Sequence, residues 1–194
     1  MGFLDVLRGR SRETRPNLDN LFALPGAAVT LQTALGLLPT GTGSVCYRAT
    51  EGAAMAGTQA DVIALIEADG GPTVERTTDG FGFTWLVVRG DPADLSGVVT
   101  DLHAVNTALE TQGFGAGLLC SMVTFAEGDV PGARRTALVY LYKQGTFYPF
   151  APTGAQQRDV LLERQVRDAV EGDLRIEPEP SRWLPLWGAP GLPQ

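Results

Sequence analysis

The stretch from residue 73 to residue 112 leaves few architectures open to this chain. Two strand-like runs, 73–78 and 81–89, flank Asp79-Gly80. Asp-Gly between such runs is the strongest short-range signal for a β-hairpin. In the second run Phe81, Phe83, Trp85 and Val87 alternate with Gly82, Thr84, Leu86 and Val88. Both sets are apolar beyond Thr84, so this strand needs cover on two faces and belongs inside a sheet. Asp91-Pro92 then opens a helix, with Asp91 as N-cap and Pro92 at the first helical position. Leu95, Val98, Val99, Leu102, Val105 and Leu109 recur at helical spacing up to Gly113. A hairpin followed at once by a long helix with one apolar stripe predicts a helix laid across an antiparallel sheet.

The rest of the chain adds to that unit. Residues 17–22 read as a short helix, and a second begins near Pro25 with Ala28, Leu31 and Leu35 on one stripe and Gly36 as its stop. Residues 39–43, Pro-Thr-Gly-Thr-Gly, read as a loop, and Ser44 to Arg48 as a short strand. Thr58 caps a helix with Val62, Ile63 and Ile66 inward, and Gly70-Gly71-Pro72 ends it. After the long helix, 118–125, 135–142 and 146–150 read as strands, turned at 128–132 and at Gln144-Gly145. Thr153 and Gln156 have capping-box spacing, opening a helix that carries Leu162, Val166, Ala169 and Val170 inward. Glu163 with Arg167, and Arg164 with Asp168, make exposed i,i+4 pairs on its outer side. Hairpin-length connections with helices between strand groups predict an α+β fold, an antiparallel sheet packed against helices. A length of 194 residues suits one domain. The expected division is a basic tail over 1–16, a single domain over 17–172, and an extended Pro-rich arm over 173–194.

The formal net charge of -7 disfavours nucleic acid as a partner, because neutralising phosphates needs a basic face. The exception is the N-terminus, where Arg8, Arg10, Arg12 and Arg15 outnumber Asp5 and Glu13. Phe3, Leu4 and Leu7 there make either one face of a short interfacial helix or part of a frayed basic tail. Weak, salt-sensitive attraction to anionic membrane is the expectation for it. No apolar run approaches the length of about 20 residues that spans a bilayer, so direct insertion is not expected. The cysteines, Cys46 and Cys120, each lie in an apolar strand-like run. They are either buried thiols acting as small hydrophobes or a disulfide or redox pair; their separation and the lack of a CxxC motif favour the first. With no signal peptide in view, a cytoplasmic location is expected.

Catalytic constellations do not emerge. His103 is the one histidine and lies inside the long helix. A site built from Cys120, His103 and scattered carboxylates would depend on tertiary contacts that spacing does not supply. One His and two separated Cys make no metal-ligand pattern, and the carboxylates have no EF-hand spacing. Ser121 lacks the G-x-S-x-G elbow. The glycines at 113–117 lie between helix and strand, the reverse of the phosphate-binding order, and residues 39–44 lack the P-loop lysine. Lys143 beside Phe147 and Tyr148 reads as a tight hairpin with core aromatics rather than a nucleic-acid patch. The expectation is no catalytic residue, no cofactor and no metal.

Two aromatic-proline strings remain: Gly145-Thr146-Phe147-Tyr148-Pro149-Phe150-Ala151-Pro152 and Trp183-Leu184-Pro185-Leu186-Trp187-Gly188-Ala189-Pro190-Gly191. Large aromatics in rigid segments have to be buried, against this body or a partner. Phe147, Tyr148, Phe150, Trp183 and Trp187 are therefore the candidate binding residues, with packing within the chain as the alternative. Together with Asn17-Leu18-Asp19-Asn20-Leu21-Phe22-Ala23-Leu24-Pro25, these strings make the chain resemble PspAB, a phage-shock-associated family of high-GC Gram-positive bacteria, from about Gly2 to Leu192. The resemblance implies a non-enzymatic adaptor or chaperone-like accessory of the envelope-stress response. It implies a place beside the membrane-binding coat protein PspA or its associated proteins, and so a peripheral position at the membrane through a partner. The family is also often associated with a membrane metalloprotease. The element order is similar to the type III secretion chaperone-like and YbjN-like folds, which hold protein segments on a sheet or helix surface. An enzyme of unknown class is the alternative reading.

Overall fold

The computed structural model describes residues 16–194 apart from Asp129 and Pro131. The basic tail, with Phe3, Leu4 and Leu7, lies outside the described residues up to Arg15. A 3-10 helix, Leu18–Ala23, runs directly into α1, Leu24–Leu35. Gly36 ends α1 in the left-handed conformation, φ 66°. The remaining order is β1 (Leu38–Tyr47), α2 (Ala53–Glu67), β2 (Thr73–Thr78), β3 (Thr84–Arg89), α3 (Leu95–Thr111), β4 (Leu118–Ala126), β5 (Arg135–Leu141), β6 (Thr146–Phe150), a small hairpin of β7 (Pro152–Gly154) and β8 (Gln157–Arg158), and α4 (Val160–Val170). The six longer strands form one antiparallel sheet in the order β2-β3-β1-β4-β5-β6. The α+β architecture expected from the order of elements, an antiparallel sheet packed against helices, is the one found.

Strand alternation divides the side chains between two faces. Val45, Tyr47, Leu86, Val88, Val123, Phe125, Leu138 and Tyr140 point to a core filled by the helices, including Val98, Val99, Leu102 and Val105 of α3. Cys46, Trp85, Val87, Cys120, Met122, Val139, Tyr148 and Phe150 point the other way. No α-helix covers that second face among the described residues. Ala189 and Leu192 of the C-terminal arm are buried on it, with Trp183, Leu186 and Trp187 packed beside them. Thr84 to Val88 are all buried, as a strand apolar on both sides requires.

Several boundaries depart from the sequence reading, each for a local reason. Residues 39–43 are not a loop but the first half of β1, the strand joining the two halves of the sheet. Their glycines allow close approach: a Cβ on Gly43 would sit 2.6 Å from Val98 Cγ1 of α3. Gly41, at φ 75°, carries the irregularity where the β1–β4 register shifts between Pro39 and Gly43. A Cβ there would also run into the Gly90 carbonyl oxygen. Gly41→Ala should therefore cost about 2–3 kcal/mol in chemical denaturation, from left-handed strain plus backbone clash. A loss under about 0.5 kcal/mol would mean that the bulge is not fixed as described.

β3 starts at Thr84, not Phe81, because the Asp79-Gly80 turn widens into a five-residue loop in which Gly82 takes φ 84°. α3 starts at Leu95, not Pro92. Asp91 caps only a turn, accepting from Ala93 N, and Asp94 is the helix N-cap, accepting from Gly97 N at 2.8 Å. α2 begins at Ala53 after Gly52, so Thr58 is buried inside it rather than capping it. The Thr153–Gln156 segment is not a capping box. Ala155 and Gln156 turn the β7–β8 hairpin with positive φ, and Asp159 caps α4 through Leu162 N.

Candidate functional site

The site is built where the arm crosses the helix-free face. After α4 the chain adds to the β6 edge: Phe147 N donates to Arg175 O at 2.8 Å, and Glu177 N donates to Phe147 O at 2.7 Å. The Glu177 carboxylate is buried at 2% exposure and accepts from Thr146 Oγ1, Glu179 N and an Arg182 guanidinium nitrogen. The arm then turns over the sheet. Trp183 stacks on Tyr148 with ring centroids 6.1 Å apart, and Trp187 meets Phe150 edge-on at 5.3 Å. Tyr148 Oη donates to Leu184 O, and Trp183 Nε1 donates to Glu177 O.

Arg158 ties three parts together. Its guanidinium bonds the buried Glu163 carboxylate at 2.8 Å, donates to Trp183 O at 2.9 Å, and lies 5.2 Å from the centre of the Phe150 ring. Glu163 also accepts from Ala151 N. The expected exposed Glu163–Arg167 pair is therefore absent. Glu163 turns inward to close the Ala151 backbone, and Arg167 pairs with Asp168 instead.

Four of the five candidate binding residues meet here: Tyr148, Phe150, Trp183 and Trp187. Phe147 does not join them. It faces the helix core, 5.1 Å from Tyr140, and reaches the arm only through its backbone. Beyond Trp187 the cover is incomplete. A pocket of about 460 Å³ opens between arm and sheet, with Cys46, Trp85, Cys120, Leu141 and Tyr148 among its lining. Phe81 and Leu184, both exposed, stand at its rim with Arg48 and Lys143. Asp79 holds the loop on one side. Its carboxylate accepts from Phe81 N, Phe83 N and Trp85 Nε1.

Cys46 and Cys120 are direct cross-strand partners on β1 and β4, and both are free. Their separation in sequence concealed this, because β1–β4 pairing joins strands on either side of α2, β2, β3 and α3. The Cys46 thiol is pushed far above its ordinary value by the neighbouring Cys120 thiol and by burial, so it is neutral and a poor nucleophile. His103 lies on α3, on the other face of the sheet from Cys120, where its ring makes a tilted contact with Phe22 at 5.0 Å. The two do not come together. Among the described residues no group of three or more His, Cys, Asp or Glu is placed to hold a metal ion, and no helix is long and apolar enough to cross a membrane.

The four tyrosines give a probe of this packing. Burial first of all raises Tyr47, Tyr140 and Tyr142 to about 12, and burial pushes Tyr148 well above its usual value. A raised folded value means that the neutral phenol is favoured. This stabilisation is complete below the unfolded value near 10 and is lost as pH rises toward 12. Absorbance titration of the folded protein should show no phenolate step near pH 10 and a cooperative rise only with alkaline unfolding. An independent step near 10 would mean that at least one ring is open to solvent.

Comparison with known proteins agrees with the aromatic strings. No curated protein matches the chain. The family described as PspA associated protein B, PspAB, matches residues 1–191, which takes in the sheet, the helices and nearly all of the arm. The chain belongs to the PspAB family.

Proposed function

We propose that this protein is a non-enzymatic adaptor or chaperone-like accessory of the phage-shock response, and that it meets PspA or a PspA-associated protein on the arm-covered face of its sheet. The observation that carries the reading is the incompletely covered face, with Phe81 and Leu184 exposed at the mouth of an apolar pocket. Large apolar side chains grouped at a concave edge are what a protein-binding surface offers. The family name supplies the partner. The similarity of element order to chaperone-like folds points the same way, and a partner at the membrane would hold this chain there without a span of its own.

The test is calorimetric titration of the purified chain with purified PspA. Saturable binding is expected, and Phe81→Asp with Leu184→Asp should weaken it by about tenfold or more, which is about 1.4 kcal/mol. Both positions are exposed, so the melting temperature should hold. No binding, or binding indifferent to the double substitution, counts against the reading.

A further inference from the structure

The interior of the pocket calls for a ligand of its own. Its volume of about 460 Å³ falls in the range that small ligands occupy. Apart from Arg48, Lys143 and Gln144, its polar side chains are already engaged. Asp79, the one carboxylate in the lining, is bonded to two backbone N–H groups and to Trp85 Nε1, and Tyr148 Oη donates to the arm at Leu184 O. Cys46 is a protonated thiol. A sugar or a nucleobase would lose its hydrogen bonds to water on entering and find few in return. An alkyl chain loses nothing there and gains from leaving water.

The mouth carries the opposite chemistry. β1 and β5 run in the same direction on either side of β4. Residues just past their ends, Arg48 and Lys143, therefore emerge at the same end of the sheet, roughly 10 Å apart by strand spacing. Both line the pocket, and neither is in an ion pair among the described residues. Arg48 lies over the Phe83 ring at 5.7 Å. In a chain of net charge -7, two cations at the mouth of an apolar pocket are a local reversal of sign.

We propose that this pocket binds a single-chain amphiphile with an anionic head, its alkyl chain against Trp85, Cys120, Leu141 and Trp187 and its head between Arg48 and Lys143. The proposal goes beyond the adaptor reading and is tested with no partner protein present. Dodecanoate, dodecanol and dodecyltrimethylammonium, each below its micellar concentration, are titrated into the full chain by calorimetry and tryptophan emission. Dodecanoate should bind saturably at one molecule per chain and change the emission. Arg48→Glu with Lys143→Glu should weaken dodecanoate by about tenfold or more, leave dodecanol within about twofold, and improve the cationic amphiphile. Both residues are exposed, so an unchanged melting temperature shows that the variant is folded. No saturable binding of dodecanoate overturns the proposal. So does equal binding of all three, or dodecanoate binding unaffected by the charge reversal.

Discussion

A chain cut after Gly172 is expected to lose about 5 kcal/mol or more of stability, on the scale of the whole folding free energy of a domain. Removal of residues 173–194 strips the burial of Leu174, Ala189 and Leu192, each worth up to about 1.5–3 kcal/mol for the larger side chains. It uncovers Tyr148 and Phe150 where Trp183 and Trp187 packed. It reopens the β6 edge that Arg175 and Glu177 close, an invitation to aggregation. Circular dichroism during denaturant unfolding measures the effect. An arm that merely rests on the surface would leave the midpoint where it was.

Arg158→Met is expected to cost about 3 kcal/mol. It keeps the aliphatic length but leaves the Glu163 carboxylate buried without its cation, which is the costly way to break a buried pair. It also removes the bond to Trp183 O and the contact over Phe150, so the arm loosens with it. Adding Glu163→Gln should recover part of the loss, because the amide needs no counter-charge and its oxygen still accepts from Ala151 N. A double-mutant cycle by equilibrium unfolding measures this, with a coupling of about 1–3 kcal/mol expected. Strictly additive losses would mean that Arg158 acts on the arm alone.

What the sequence made legible was local. The period of Leu95 to Leu109 and the two-sided apolar run after Thr84 follow from burial along one element, so they survive without knowledge of the partners. Gly36 and Gly113 stop their helices for the same reason. The misplaced start at Asp91 comes from a second polar residue competing for nearby backbone N–H groups, the one at Thr153 from a hairpin that intervenes before the true cap, and the one at Thr58 from a helix that begins after Gly52 with no side-chain cap. Asp94 lies three residues after Asp91, and Asp159 six after Thr153. Tyr148 with Trp183, and Phe150 with Trp187, were legible as aromatics in need of cover, but not as pairs. The Cys46–Cys120 contact, the inward turn of Glu163 and the mouth formed by Arg48 and Lys143 were not legible at all. Each depends on strands or segments brought together from far apart, and nothing in the local spacing encodes that register. Residues 39–43 show the same limit: their glycines suggest a loop by composition, while the close packing of α3 on β1 is what requires them.

The proposed docking of the partner is on the arm-covered face, not on the helix face. Hydrogen exchange of the full chain with and without PspA tests it most directly. Docking there should add protection at residues 79–85, at 118–120, at 141–145 and across 183–188, with α1 and α2 unchanged. Protection confined to α1 and α2, or none anywhere at saturating PspA, would contradict it.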